Sequence, residues 1–158
     1  YTYIEGNSMD IVERPEAAYQ AGALLGRFHV ALADLDYEFI NPRDPVHHLD
    51  RHIQHLQASL EHQQHHVNYA QVEALAMDIL QQAELLPRLP EMNIRKVHGD
   101  PKINNFLFNS QTGDAICMVD FDTLSTMPVA LELGDAMRSW CNPGGENIQA
   151  GHFAMDLF

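Results

Sequence analysis

Apolar residues recur at steps of three and four along the first half of the chain. Ala18, Ala21, Leu25, Phe28, Leu32 and Leu35 form one stripe, which predicts an amphipathic helix with Pro15 in its first turn. Gly22 and Gly26 lie four apart on that helix, where they either admit a close neighbour or weaken it. Asn41 to Pro45 is a turn-rich break, with Asp44 and Pro45 as N-cap and first turn of the next helix. Val46, Leu49, Ile53, Leu56 and Leu60 supply a second apolar stripe. Val72, Leu75, Ile79, Ala83 and Leu86 supply a third, which Pro87 and Pro90 end.

Beyond Pro90 the period shortens. Ile94 to Val97 reads as a short strand, and Phe106 to Asn109 with Ala115 to Val119 as a hairpin around Ser110 to Asp114. Between them runs His98-Gly99-Asp100-Pro101-Lys102-Ile103-Asn104-Asn105, and the hairpin is followed by Asp120-Phe121-Asp122. Proline disfavours helical geometry in the residue before it, so Asp100 belongs to a loop. The hairpin would then bring Asn105 and Asp120 together in space.

These side chains form a set with a chemical logic. Asp100 could accept a hydrogen bond from a substrate hydroxyl. Lys102 is a compact positive charge able to reach a transferring phosphoryl group. Asn105 offers a neutral carbonyl oxygen suited to a hard cation such as Mg²⁺, and Asp120 an anionic ligand. If the backbone stays extended through Asp122, Asp120 and Asp122 point to the same side.

At these residues the chain resembles the catalytic loop and metal-binding aspartate shared by protein kinases and the aminoglycoside phosphotransferase/choline kinase group. His98 to Asn105 fits the pattern H-x-D-x-K-x-x-N, and Asp100 to Phe108 with Asp120 to Thr123 is closest in wording to N-acetylhexosamine 1-kinases. Leu24 to His29 resembles a helix of that family reading L-L-x-x-L-H, and Leu133 to Arg138 resembles a helix start. The ordered set is more specific than any single piece of it.

The resemblance implies an α+β, mainly helical fold: the C-terminal lobe of a protein-kinase-like fold, with a small hairpin bearing the catalytic and metal loops. It implies ATP and Mg²⁺ as cofactors. Asp100 would be the catalytic base or the residue aligning the acceptor hydroxyl, and Lys102 would stabilise the γ-phosphate. Asn105 and Asp120 would hold the metal and through it the nucleotide. Asp122 is grouped with the metal ligands, though a sugar hydroxyl or water are open alternatives for it. His98 would shape the loop, and Asp135 would bond the catalytic-loop backbone from a helix start. Tyr1 to Gly6 resembles the hinge strand between lobes, with the backbones of Thr2 and Ile4 facing adenine; the plain alternative is an edge strand. The domain reading is therefore a hinge over 1–6 and a C-terminal lobe over 7–158. The chain opens without an initiator methionine, and no glycine-rich phosphate loop precedes the catalytic loop. A fragment lacking the N-terminal lobe, and inactive alone, is the expectation.

Composition narrows the setting. Nine Lys and Arg against 22 Asp and Glu give a net charge of −13. That acidity argues against nucleic acid or an anionic membrane as partner, leaving a small hydroxyl-bearing substrate and a nucleotide. No apolar run approaches membrane-spanning length. Two cysteines, Cys117 and Cys141, suit a reducing cytoplasm.

Three function classes follow. The first is an ATP-dependent phosphotransferase acting on a small-molecule hydroxyl. An N-acetylhexosamine is the leading acceptor, with aminoglycosides and choline-like amino alcohols as alternatives. The second is a sulfatase-type hydrolase, which needs a C/S-x-P-x-R context. Cys141-Asn142-Pro143-Gly144-Gly145 comes nearest, with glycine in place of arginine. The third is a kinase-like binding module without activity. Separately, His48 with His52 and His62 with His66 have the i, i+4 spacing of a zinc site, although they run beside an apolar stripe where half-exposed polar residues normally lie.

Overall fold

The computed structural model describes residues 2–40, 47–87, 90, 92–145 and 151–158. The elements run α1 (Pro15–Ala31), α2 (Leu49–His62), α3 (Tyr69–Leu85), β1 (Ile94–Val97), β2 (Phe106–Phe108), β3 (Ala115–Met118), β4 (Ser125–Pro128) and α4 (Val129–Trp140). Short 3-10 turns cover Ile103–Asn105, Phe121–Thr123 and Met155–Leu157. The class is α+β with helices dominant, and no helix among the described residues is long and apolar enough to cross a membrane.

Two compact units make up the chain, one formed by 1–44 with 92–158 and the other by 45–91. The second holds α2 and α3, whose apolar residues Leu56, Leu60, Val72, Ala76 and Ile79 face a shared groove. The predicted N-cap Asp44, with Pro45 and Val46, lies outside the described residues. α3 stops at Leu85 because Pro87 drives Leu86 to an extended ψ of 133°. Among the described residues no three His, Cys, Asp or Glu side chains gather as a metal site. His62 Nδ1 lies 2.7 Å from the Ala58 carbonyl, and His66 Nδ1 accepts the Asn68 amide at 3.2 Å, so these rings serve local backbone contacts.

The first unit is organised around α1. Arg14 is extended and Pro15 occupies the first helical position, where its missing N–H costs nothing. Ala18, Ala21 and Leu25 are buried against Phe106, Phe108, Ala115 and Met118 of the hairpin strands. Fully burying a side chain such as Leu25 or Phe106 contributes about 1.5–3 kcal/mol. The helix ends earlier than its apolar period suggests, and Leu35 lies beyond it, 42% exposed. Neither α1 glycine admits a neighbouring backbone. A β-carbon on Gly22 would sit 3.8 Å from the Trp140 ring, and one on Gly26 would meet nothing.

Two antiparallel pairs complete this unit. β2 and β3 form the expected hairpin, with Phe106 opposite Met118. Asn109 closes its turn, its Oδ1 accepting the amides of Gln111 and Thr112 at 2.8 and 3.1 Å. β1 pairs with β4, Val97 opposite Ser125. β4 had no sequence signal, because Ser125-Thr126-Met127-Pro128 is short and ends in a proline. That pairing carries the chain from the Asp120–Thr123 loop straight into α4.

Candidate active site

The loop between β1 and β2 is built for a tight path. Gly99 takes a φ of +86°, a conformation open to glycine and strained for other residues. Pro101 follows Asp100, and a 3-10 turn closes with the Asn105 amide bonding the Lys102 carbonyl at 2.9 Å. Three predicted site residues meet here. Lys102 Nζ is 2.9 Å from Asp100 Oδ2, with both side chains about one-quarter to one-third exposed (26% and 30%). Asn105 is buried, and its Nδ2 donates to the Asp100 carbonyl at 2.8 Å and to Asp100 Oδ2 at 3.3 Å.

The hairpin then brings Asp120 to the same end of its ladder. The Val119 amide donates to the Asn105 carbonyl at 2.9 Å, and Asp120 is the next residue. Asp120 has a φ of +68°, the only positive φ of a non-glycine residue among those described. Such backbone costs on the order of 1–3 kcal/mol and is tolerated best by Asn and Asp. The extended path assumed for Asp122 is not followed. Residues 121–123 form a 3-10 turn, so strand alternation does not put Asp122 beside Asp120.

The donor chemistry at this end fits a hard divalent cation. Both Asn105 Nδ2 bonds go to Asp100, which turns the carboxamide oxygen to the opposite side of that group. A carboxamide oxygen and a carboxylate are hard oxygen donors of the kind divalent cations take, although among the described residues no three His, Cys, Asp or Glu side chains gather there.

What holds the loop is a polar stripe along α4 that the sequence reading missed. Glu132 is fully buried, and its Oε1 accepts the amides of His98 at 2.6 Å and Gly99 at 3.1 Å. Ser139 Oγ accepts the Ile103 amide at 3.1 Å, and Trp140 Nε1 donates to the Pro101 carbonyl at 2.8 Å. The helix thus grips the chain on both sides of Asp100. Asp135 was expected at a helix start. α4 instead begins at Val129, placing Asp135 mid-helix with its Oδ1 accepting Arg138 Nε at 3.0 Å. The signal was present, since Glu132, Ala136, Ser139 and Trp140 share one face at helical spacing. It was lost by starting the helix at Leu133.

His98 ties the two loops together, the shaping role expected of it. Its buried ring donates from Nε2 to the Val119 carbonyl at 2.9 Å, and its own carbonyl accepts Thr123 Oγ1 at 2.9 Å. Phe121 packs on the ring at 4.9 Å between centroids. By contrast Cys141 is buried, and burial first, then the nearby Asp156 carboxylate, raises its thiol pKa. A protonated, inaccessible sulfur is unsuited to the nucleophile that the sulfatase reading required.

A short strand, a proline-bearing loop, a hairpin and a helix gripping the loop from beneath define a kinase-like C-terminal lobe. The family model described as APH, phosphotransferase enzyme family, matches residues 1–158, and the chain belongs to that family. Among solved structures it is similar to amicoumacin kinase hAmiN in complex with AMP-PNP, Ca²⁺ and Ami, with a TM-score of 0.51 and 18% identity. The match covers 88% of this chain and 39% of that one, so the chain spans well under half the length of that kinase.

Proposed function

We propose that the full-length protein transfers the γ-phosphoryl group of ATP to a hydroxyl of a small molecule. The observation that carries this reading is the Asp100–Asn105–Asp120 arrangement: an acid, a carboxamide bonded to it, and a second acid one residue beyond the Val119 amide that bonds the Asn105 carbonyl. Asp100 orients the acceptor hydroxyl and takes its proton as the acceptor oxygen bonds to the γ-phosphorus. The bond from that phosphorus to the β–γ bridging oxygen breaks, and ADP departs. Lys102, resting on Asp100 in the structure, swings to the γ-phosphate oxygens as they arrive. Asn105 and Asp120, with Asp122 as a further candidate, would hold Mg²⁺, whose charge offsets that of the phosphates.

The nucleotide end is supported by the chain's first residues. Asn7 and Phe108 exchange backbone hydrogen bonds at 2.9 and 2.8 Å, so Asn7 lies beside the hairpin. A β-carbon on Gly6 would lie 3.0 Å from Leu107 Cβ and 3.2 Å from Ile116 Cδ1, which makes this a close crossing. Thr2 and Ile4, exposed residues ahead of that crossing, are proposed to meet adenine through their backbones, with residues 1–6 as hinge and 7–158 as C-terminal lobe.

An N-acetylhexosamine is the acceptor favoured by the wording of the catalytic and metal motifs. An aminoglycoside-like, amine-bearing acceptor is the second reading, favoured by the net charge of −13 and by the fold shared with amicoumacin kinase. A cytoplasmic location accords with ATP use. An ATP-consumption screen of the full-length protein against sugars, aminoglycosides and amino alcohols tests the proposal. Acceptor-dependent ADP release supports it, and none across all three classes removes it.

A further inference from the structure

We infer that His29 and Glu132 form a buried positioning pair that sets the catalytic loop and, through it, Asp100. The two oxygens of Glu132 do different work. Oε1 accepts both loop amides, His98 and Gly99, immediately before Asp100. Oε2 lies at ion-pair distance, 2.6 Å, from His29 Nε2 on α1, and neither atom makes a hydrogen bond to any other described group. Glu132 is wholly buried and the His29 side chain is 11% exposed. A buried carboxylate needs partners for both oxygens, and its direction is set by whichever partner is most rigid.

The neighbour of Oε2 is His29, at ion-pair distance. It sits in the last turn of α1, whose Ala21 and Leu25 are packed in the core. Phe28, one residue before, stacks on Phe121 at 6.1 Å between centroids, and Phe121 covers the His98 ring. The end of α1 therefore reaches the catalytic loop twice, once through Glu132 and once through the aromatic contacts. Fixing Oε2 aims Oε1, and Oε1 determines where the His98–Gly99 step lies. Displacement of a reacting group by about 1 Å costs on the order of a hundredfold in rate, so a residue that never touches substrate acts on turnover this way.

The catalytic meaning of the pair rests on the phosphotransfer reading, whereas its hold on the loop does not, and the test separates the two. Amide hydrogen exchange and steady-state kinetics are compared for the full-length protein, His29→Ala, His29→Gln and Glu132→Gln. In His29→Ala the amides of His98 and Gly99 exchange about tenfold faster, while those of the β2–β3 ladder stay as in the wild type. Its kcat falls about tenfold to a hundredfold with KM for ATP and acceptor within about twofold. His29→Gln, which puts a polar group back opposite Oε2, recovers most of both losses. Glu132→Gln keeps an acceptor for the loop amides and gives an intermediate result. Unchanged exchange at His98 and Gly99 in His29→Ala overturns the inference. So does a uniform acceleration across loop and hairpin, which marks simple destabilisation. If the wild type transfers no phosphate to any acceptor, the phosphotransfer reading falls, and the exchange pattern still decides whether the pair holds the loop.

Discussion

The carbonyl oxygen of Thr123 occupies the space where a β-carbon on Gly99 would be, 2.2 Å from that point. The same threonine donates its hydroxyl to the His98 carbonyl at 2.9 Å. The loop after β3 and the loop after β1 thus touch backbone to backbone. Gly99→Ala introduces both this clash and a positive-φ strain. It should destabilise the protein by about 1–3 kcal/mol, read as a lower urea midpoint. Wild-type stability in that variant would mean that the two loops do not press on each other.

Asp120 holds a left-handed backbone and a charge, and two substitutions separate them. Asp120→Asn keeps a residue that tolerates φ near +68° and removes the charge. It should leave stability nearly unchanged while raising the Mg²⁺ concentration needed for half-maximal turnover steeply. Asp120→Ala should show the same metal defect plus a loss of about 1–2 kcal/mol. An unchanged metal requirement in both variants would reassign Asp120 to a structural role.

Trp140 has separable contacts. Its ring meets Phe106 edge-on at 5.5 Å, and its Nε1 donates to the Pro101 carbonyl. Trp140→Phe keeps an aromatic ring and deletes the donor. The loss should be about 1 kcal/mol or somewhat more, since the buried carbonyl is left without its partner. Thermal melting checks this; a larger cost than about 3 kcal/mol would place the weight on packing instead.

The cysteines give a pH signature. Cys141 is raised above its ordinary value by burial first and by Asp156 second. Below about pH 9 the thiol is protonated in folded and unfolded chains alike, and contributes no pH dependence. Above it the unfolded chain gives up the proton first, so the folded state binds more protons and stability falls as pH rises. Relative to Cys141→Ala, the wild type should lose stability between pH 9 and the folded-state value. Iodoacetamide should label the half-buried Cys117 well before Cys141. Equal labelling would contradict the burial of Cys141.

Local patterns were legible in the sequence where one physical rule dominated. The strand Ile94–Val97, the hairpin around Asn109 and the helix stop before Pro87 follow from alternation, turn chemistry and the pre-proline restriction. The hairpin pairing that bonds the Val119 amide to the Asn105 carbonyl, one residue before Asp120, was legible too. The left-handed twist at Asp120 was not legible, because only the tertiary path demands it, and it removed the alternation argument for Asp122. β4 was missed because its partner lies far along the chain, and such pairing leaves no local trace. Glu132 was hidden for a related reason. A buried glutamate on a helix looks like a surface residue until the amides of His98 and Gly99 are seen against it.

In the proposed reaction Asp100 acts beside a cation that Asn105 and Asp120 would hold. The most direct measurement is transfer of labelled phosphate from γ-labelled ATP to the best acceptor, by the full-length wild type and by Asp100→Asn. The wild type should label the acceptor only with Mg²⁺ present. Asp100→Asn should fold normally and turn over about 10²–10⁴-fold more slowly. Transfer at the wild-type rate by that variant would contradict the account.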